Sequence, residues 1–169
     1  RTVLSSVRRI APFDQAGVML LDQEGQRLLS ADMVGTGASP ELVDKMKRFS
    51  IPIDETNSAF AYVVRKNRSF LLREIDEATV QAMSPSDRQV WEVTPNRPRA
   101  LFINPIEIDH ETVGVMYLGK TDGPFDLEEK DLATVQRYLP HLSTAIRNAR
   151  LFDETKRLHR SLAAAEERV

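Results

Sequence analysis

Apolar positions along the chain follow two rhythms, a period of two and a period of three to four, and the breaks between them predict the elements. Positions 2–10 place Val3, Leu4, Val7 and Ile10 opposite Arg8 and Arg9, the pattern of a short amphipathic helix. Two apolar runs, 17–21 and 28–34, flank Asp22, Gln23, Glu24 and Gly25. They predict a hairpin with Gly25 at a positive-φ position. Pro40 suits the first position of a helix that carries Leu42, Val43 and Met46 toward Phe49, about two turns in all. Ile51, Pro52 and Ile53 read as a short extended piece. Asn57 or Ser58 then caps a helix whose apolar face is Phe60, Ala61, Val63 and Val64. Positions 69–75 return to strand.

The stretch 76–99 is the least regular, with Pro85, Pro95 and Pro98, one helical fragment over 86–93, and the single tryptophan, Trp91. Irregular connections of this length are either binding loops or plain surface excursions. Two strands follow, 100–108 and 113–118, turning through Asp109 and His110. The second is apolar on both faces, so cover on both sides is expected.

From about residue 126 a single helix runs to the end of the chain. Its positions Leu132, Val135, Leu139, Leu142, Ile146 and Ala149 alternate steps of three and four, a narrow seam of the kind two helices share. Beyond Ala149 the steps resume out of phase at Leu151, Thr155, Leu158, Leu162, Ala165 and Val169. Such a shift alters supercoiling locally. With Pro140 in the same helix, the rod suits either a two-register switch or a static dimer stalk.

Composition narrows the class. At 169 residues, 41% hydrophobic and 28% charged, the chain fits one domain with an appended helix better than two domains. With 23 basic against 25 acidic residues the net charge is -2, which gives no global field favouring nucleic acid or an anionic membrane. There is no cysteine. Disulfides, thiolate metal sites and thiol nucleophiles are therefore excluded. No apolar run approaches the roughly 20 residues of a membrane helix. The chain opens at Arg1 without a signal-peptide pattern, and reads as a cytoplasmic piece of a longer protein.

The residues GVMYLGK, a connector containing Phe125, and then DLATVQRYLPHLSTAIRNARLFDE resemble the closing hairpin and last helix of a GAF domain, a small-molecule sensor module of signalling proteins. Ala145 through Glu154 is the most specific piece. The opening helix, the turn at Asp22 to Gly25 and the extended start at Ile51 are similar too, so the resemblance covers residues 2–155. It implies an α+β fold with a central antiparallel sheet of five or six strands. Terminal helices would lie on one face, and shorter helices and loops would make a pocket over the other. The sensor would span 1–152, and 153–169 would be a coiled-coil extension toward an output domain. A PAS-type sensor is the closest alternative by fold, with its helices clustered centrally.

The resemblance leaves the ligand open. Members that bind cyclic nucleotides share a dispersed Asn-Lys, Phe and Asp-Glu pattern, and the matching positions here are Gly119, Lys120, Phe125, Glu129 and Lys130. Lys and Phe are kept, so a cyclic nucleotide is only partly supported. Thioether-linked bilins and cysteine-based catalysis are excluded by the absence of Cys.

The remaining candidates are individual side chains. His110, His141 and His159 share no metal-ligand spacing, and solvated or capping roles are expected for them. No nucleophile motif or phosphate-cradling loop is present, so no catalytic residue is assigned. Trp91, with Arg88, Arg97 and Arg99 nearby, either stacks on a planar anion or closes the core, and packing weighs more for a lone aromatic. Asn104 is a polar residue in an apolar strand, either a ligand contact or, with Pro105, the mark of a bulge or strand edge. Phe102 and Tyr117, on the two closing strands, complete the candidate ligand set. Leu139, Leu142, Ile146, Ala149, Leu158 and Leu162 are the candidate dimer and signalling contacts. The expectation is a non-catalytic sensory domain and homodimer. The alternative is a dimerisation scaffold with a collapsed pocket.

Overall fold

The computed structural model describes residues 13–94, 96–126 and 128–168. The helix expected over 2–10 lies outside them. Six strands and five helices follow in the order β1 (Gln15–Leu21), β2 (Arg27–Gly35), α1 (Pro40–Met46), β3 (Ser50–Pro52), α2 (Ala59–Lys66), β4 (Phe70–Leu72), α3 (Glu77–Ala82), α4 (Pro85–Val93), β5 (Ala100–Ile108), β6 (Glu111–Lys120) and α5 (Glu129–Glu167). The strands form one antiparallel sheet in the order β3-β2-β1-β6-β5-β4, an α+β architecture with the larger of the two expected strand numbers.

Local chemistry accounts for most boundaries. Gly25 sits at φ 70° in the β1–β2 turn, as its position required. The hydroxyls of Ser39, Ser58 and Ser84 and the Asp76 carboxylate each accept an N–H in the first turn of the following helix, and Pro40 and Pro85 open α1 and α4. Three expectations change. The strand placed over 69–75 is only Phe70–Leu72. The irregular stretch 76–99 is largely helical, because Asp76 caps an extra helix, α3, ahead of α4. The last helix begins at Glu129 rather than about 126.

The sheet carries a core on each face. On one side Met19, Leu28, Ile103, Val115 and Tyr117 pack against α1, α2 and α4 through Leu42, Met46, Phe60, Val63 and Val90. On the other, Val18, Phe102, Ile106, Met116 and Leu118 pack against α5 through Val135 and Leu142. Leu132, Leu139 and Ile146 extend that second layer. The seam read as a helix–helix contact is thus largely covered by the chain's own sheet. Leu139, Leu142 and Ile146 belong to the layer packed on the sheet, while Ala149 is exposed. From 147 to 167 the residues of α5 are all exposed.

Candidate ligand cavity

β-strand alternation sends Val115 and Tyr117 to one face of β6 and Met116 and Leu118 to the other. On the first face the sheet, α2, α3 and α4 do not close completely, and a cavity of about 320 Å³ remains. Its floor is Gln15, Met33, Leu101 and Tyr117. Phe60 and Tyr62 come from α2, Met83 follows α3, and Val90 and Trp91 come from α4. Most of the lining is apolar, as in small-molecule sites generally.

Tyr117 is held by absent and present neighbours alike. Its strand partner is Gly17, where an added Cβ would lie 2.1 Å from the tyrosine ring, so only glycine admits this ring position. Phe60 meets the ring edge-on at 5.7 Å. Burial, with a smaller contribution from the Asp32 charge, pushes the phenol up to about 12. Gln15 spans the opposite end, donating to the carbonyls of Thr36 at 2.8 Å and Asn96 at 2.7 Å. It ties the start of β1 to two loops.

The polar wall centres on Asp87, which is 5% exposed. Its carboxylate accepts from the Ser58 hydroxyl at 2.7 Å and from the Ala59 N–H at 2.8 Å, so it sits at the N-terminus of α2. Its own N–H is donated to the Ser84 hydroxyl that caps α4. One side chain therefore joins two helices through a partner 29 positions away. Desolvation raises the Asp87 carboxyl above its usual range against the lowering effect of these bonds, and Glu55 adds to the rise. Glu55 itself accepts from Ser86 at 2.8 Å, and its second oxygen is buried with no partner among the described residues. Among the described residues, no lysine, arginine or histidine lines the cavity.

The structure separates the candidates read from the sequence. Trp91 and Tyr117 line the cavity. The indole N–H of Trp91 donates to the Pro98 carbonyl at 3.0 Å, and the Arg97 guanidinium lies 5.1 Å from its ring. Arg97 is exposed and outside the lining, donating to the Glu92 carbonyl. Arg99 is also exposed, 3.8 Å from Glu74. Phe102 and Asn104 do not reach the cavity: they share the α5 face of β5, where Phe102 stacks with Phe13 at 6.5 Å. Asn104 is wholly buried and accepts from Ser69 at 2.7 Å, with its amide nitrogen unpartnered among the described residues. Pro105 marks a strand edge, since β4 pairs β5 only from Leu101 to Ile103.

Lys120 pairs with Asp122, and Phe125 packs beside Phe13 on the α5 side, so these positions of the cyclic-nucleotide pattern stand away from the cavity. His110 lies in the β5–β6 turn at φ 66°, and His141 and His159 are exposed on α5. Among the described residues, no group of three acidic, His or Cys side chains is placed to hold a metal ion, and no helix is long and apolar enough to cross a membrane. Asp87 and Gln15 escaped the sequence reading. The spacing Ser84 to Asp87 signals a helix cap, but nothing local points to Ser58.

No family model and no curated protein matches the chain. Solved structures do. The GAF domain of a two-component sensor histidine kinase from Bacillus halodurans is similar at 18% identity, with 89% of this chain and 92% of that one covered and a TM-score of 0.68. A methyl-accepting chemotaxis protein, residues 122 to 287, is similar at 17% identity over 90% of this chain and 88% of that one, also at 0.68. The second GAF domain of DevS from Mycobacterium smegmatis matches at 13% identity, 94% and 95% coverage and 0.64. With its six-stranded sheet, terminal helix on one face and cavity on the other, the chain has the fold of a GAF domain.

Proposed function

We propose that this chain is a non-catalytic sensory domain of a larger, cytoplasmic signal-transduction protein. It binds a small molecule in the cavity over β1, β5 and β6 and passes its state along α5, as a homodimer, to an output domain in the same chain. The observation that carries the reading is the cavity itself. About 320 Å³ remains open between two well-packed layers, at the low end of the roughly 300–1,000 Å³ of small-molecule sites. A collapsed pocket would have been filled by Trp91 and the surrounding methionines. The dimer rests on Leu151, Phe152, Leu158 and Leu162, which are 54–63% exposed on the outer half of α5. Leu151, Thr155, Leu158 and Leu162 step by four, three and four, which suits a second copy of the same helix.

Ligand binding to the folded state must stabilise it. A fragment library screened by thermal shift is expected to yield compounds that raise Tm by roughly 5–10 °C at a hundredfold excess over Kd. A library that leaves Tm unmoved would favour the dimerisation scaffold instead.

A further inference from the structure

We propose that the cavity selects an aromatic amine and disfavours anions, cyclic nucleotides included, with Asp87 as the side chain that reads the charge. The inference rests on the ligand-binding reading above and specifies the chemistry of that site.

Three features converge. The first is the slot: Trp91, Tyr117 and Phe60 supply flat apolar surface, and Met33, Met46 and Met83 are side chains that repack around an irregular guest. One planar ring system suits this lining. The second is the sign of the polar wall. Asp87 is the one Asp, Glu, Lys, Arg or His among the described residues of the lining, and Glu55 lies near enough to act on its carboxyl, with one oxygen unpartnered among the described residues. A carboxylate offers about four lone-pair sites. Ser58 and Ala59 use two, so capacity remains for a donor from the cavity. Burial already disfavours the ionised form of Asp87, and an ammonium group beside it would offset that cost.

The third feature is that, among the described residues, no cationic side chain lines the cavity to seat an anion. The N-terminus of α2 is where an anionic ligand would find free N–H groups, but Asp87 and Ser58 already accept the N–H groups of Ala59 and Ala61. The nearby cations are engaged elsewhere. Arg88 donates to the Val80 carbonyl, Arg97 to the Glu92 carbonyl, and Arg99 lies by Glu74. A phosphate or carboxylate beside Asp87 would meet no compensating charge among the described residues of the lining, with Arg97 held outside it on the Trp91 ring, and this is a repulsive element against the wrong ligand.

Isothermal titration of the 169-residue chain with tryptamine, indole, indole-3-acetate and cyclic GMP tests this, because the first three share one ring and differ in charge. Tryptamine is expected to bind about tenfold or more tighter than indole-3-acetate, a difference of about 1.4 kcal/mol or more. Asp87→Asn should bring that ratio close to one. Since Asp87 also joins two helices, Glu55→Gln serves as a milder variant and should narrow the ratio in part. Equal or tighter binding of indole-3-acetate or cyclic GMP, or a ratio that neither variant moves, overturns the charge selectivity while leaving a ligand-binding domain. If no compound binds, indole included, this proposal falls, and the sensory reading is decided by the fragment screen.

Discussion

Tyr117 shows how a single buried side chain ties the cavity to the stability of the fold. Its ring lies where Gly17 leaves room, against Phe60, and its phenol is held at about 12 against an ordinary 10.0. The raised value belongs to the folded state, so below pH 10 both states keep the proton and nothing is lost. Between about pH 10 and 12 the unfolded chain releases the proton while the folded chain retains it, and stability falls as pH rises. Two pK units correspond to about 2.7 kcal/mol. Tyr117→Phe is therefore expected to flatten that part of the alkaline limb in urea titrations at stepped pH; an unchanged slope would place the loss elsewhere. Trp91 and Tyr117 could be singled out because Trp and Tyr are few in this chain, whereas Phe60, Tyr62 and Phe70, which also line the cavity, could not. Asp87 was not, since its partners Ser58 and Ala59 are distant in sequence. Phe102 and Asn104 were assigned to the wrong face for a related reason. Leu101 and Ile103 are as apolar as their neighbours, and a strand covered on both sides has no polar face to set its phase.

Among the elements, α5 divides into two halves of different character. Val135 and Leu142 are buried against the sheet, whereas Leu158 and Leu162 are 54% and 63% exposed. The same four-and-three spacing runs through both. Periodicity defines an apolar stripe but not what covers it, which is why the inner seam read as a contact with a second helix and is in fact packed against the chain's own sheet, β5 above all. The halves predict opposite mutational behaviour. Leu142→Ala should destabilise the domain by about 2–4 kcal/mol through the cavity it leaves. Leu158→Ala should leave the denaturation midpoint of dilute protein nearly unchanged and weaken self-association in sedimentation equilibrium. Equal effects of the two on the midpoint would mean that the outer half is part of the folded core. The short elements show the other limit of pattern reading. The six residues of α3 carry too few apolar positions to announce a helix, but the Asp76 cap accepting from Thr79 at 2.8 Å is enough to start one against the neighbouring packing.

At the scale of the whole molecule, the cavity and the long helix lie on opposite faces of one sheet and are separated by a single residue step along β6. Tyr117 and Val115 face the cavity side, while Met116 and Leu118 face the layer that holds Val135 and Leu142. A ligand that moves Tyr117 must therefore displace a strand whose adjacent side chains seat α5, because packed layers transmit strain rather than absorb it. Pro140 lies in that seated half and removes the N–H that would bond the Gln136 carbonyl, a local weakness where the helix can bend. The consequence is measurable beyond the sheet, where residues 148–167 of α5 are exposed. Because the chain has no cysteine, single Leu158→Cys and Leu162→Cys variants report only the distance between copies. In a two-register helix the ligand is expected to shift disulfide yield from one position to the other, since a ligand biases an equilibrium only by binding its two states differently. A several-fold change in the ratio of the two yields at saturating ligand would establish the switch. An identical ratio with and without a ligand shown to bind would make α5 a static stalk, and the cavity's state would have to reach an output domain by another route.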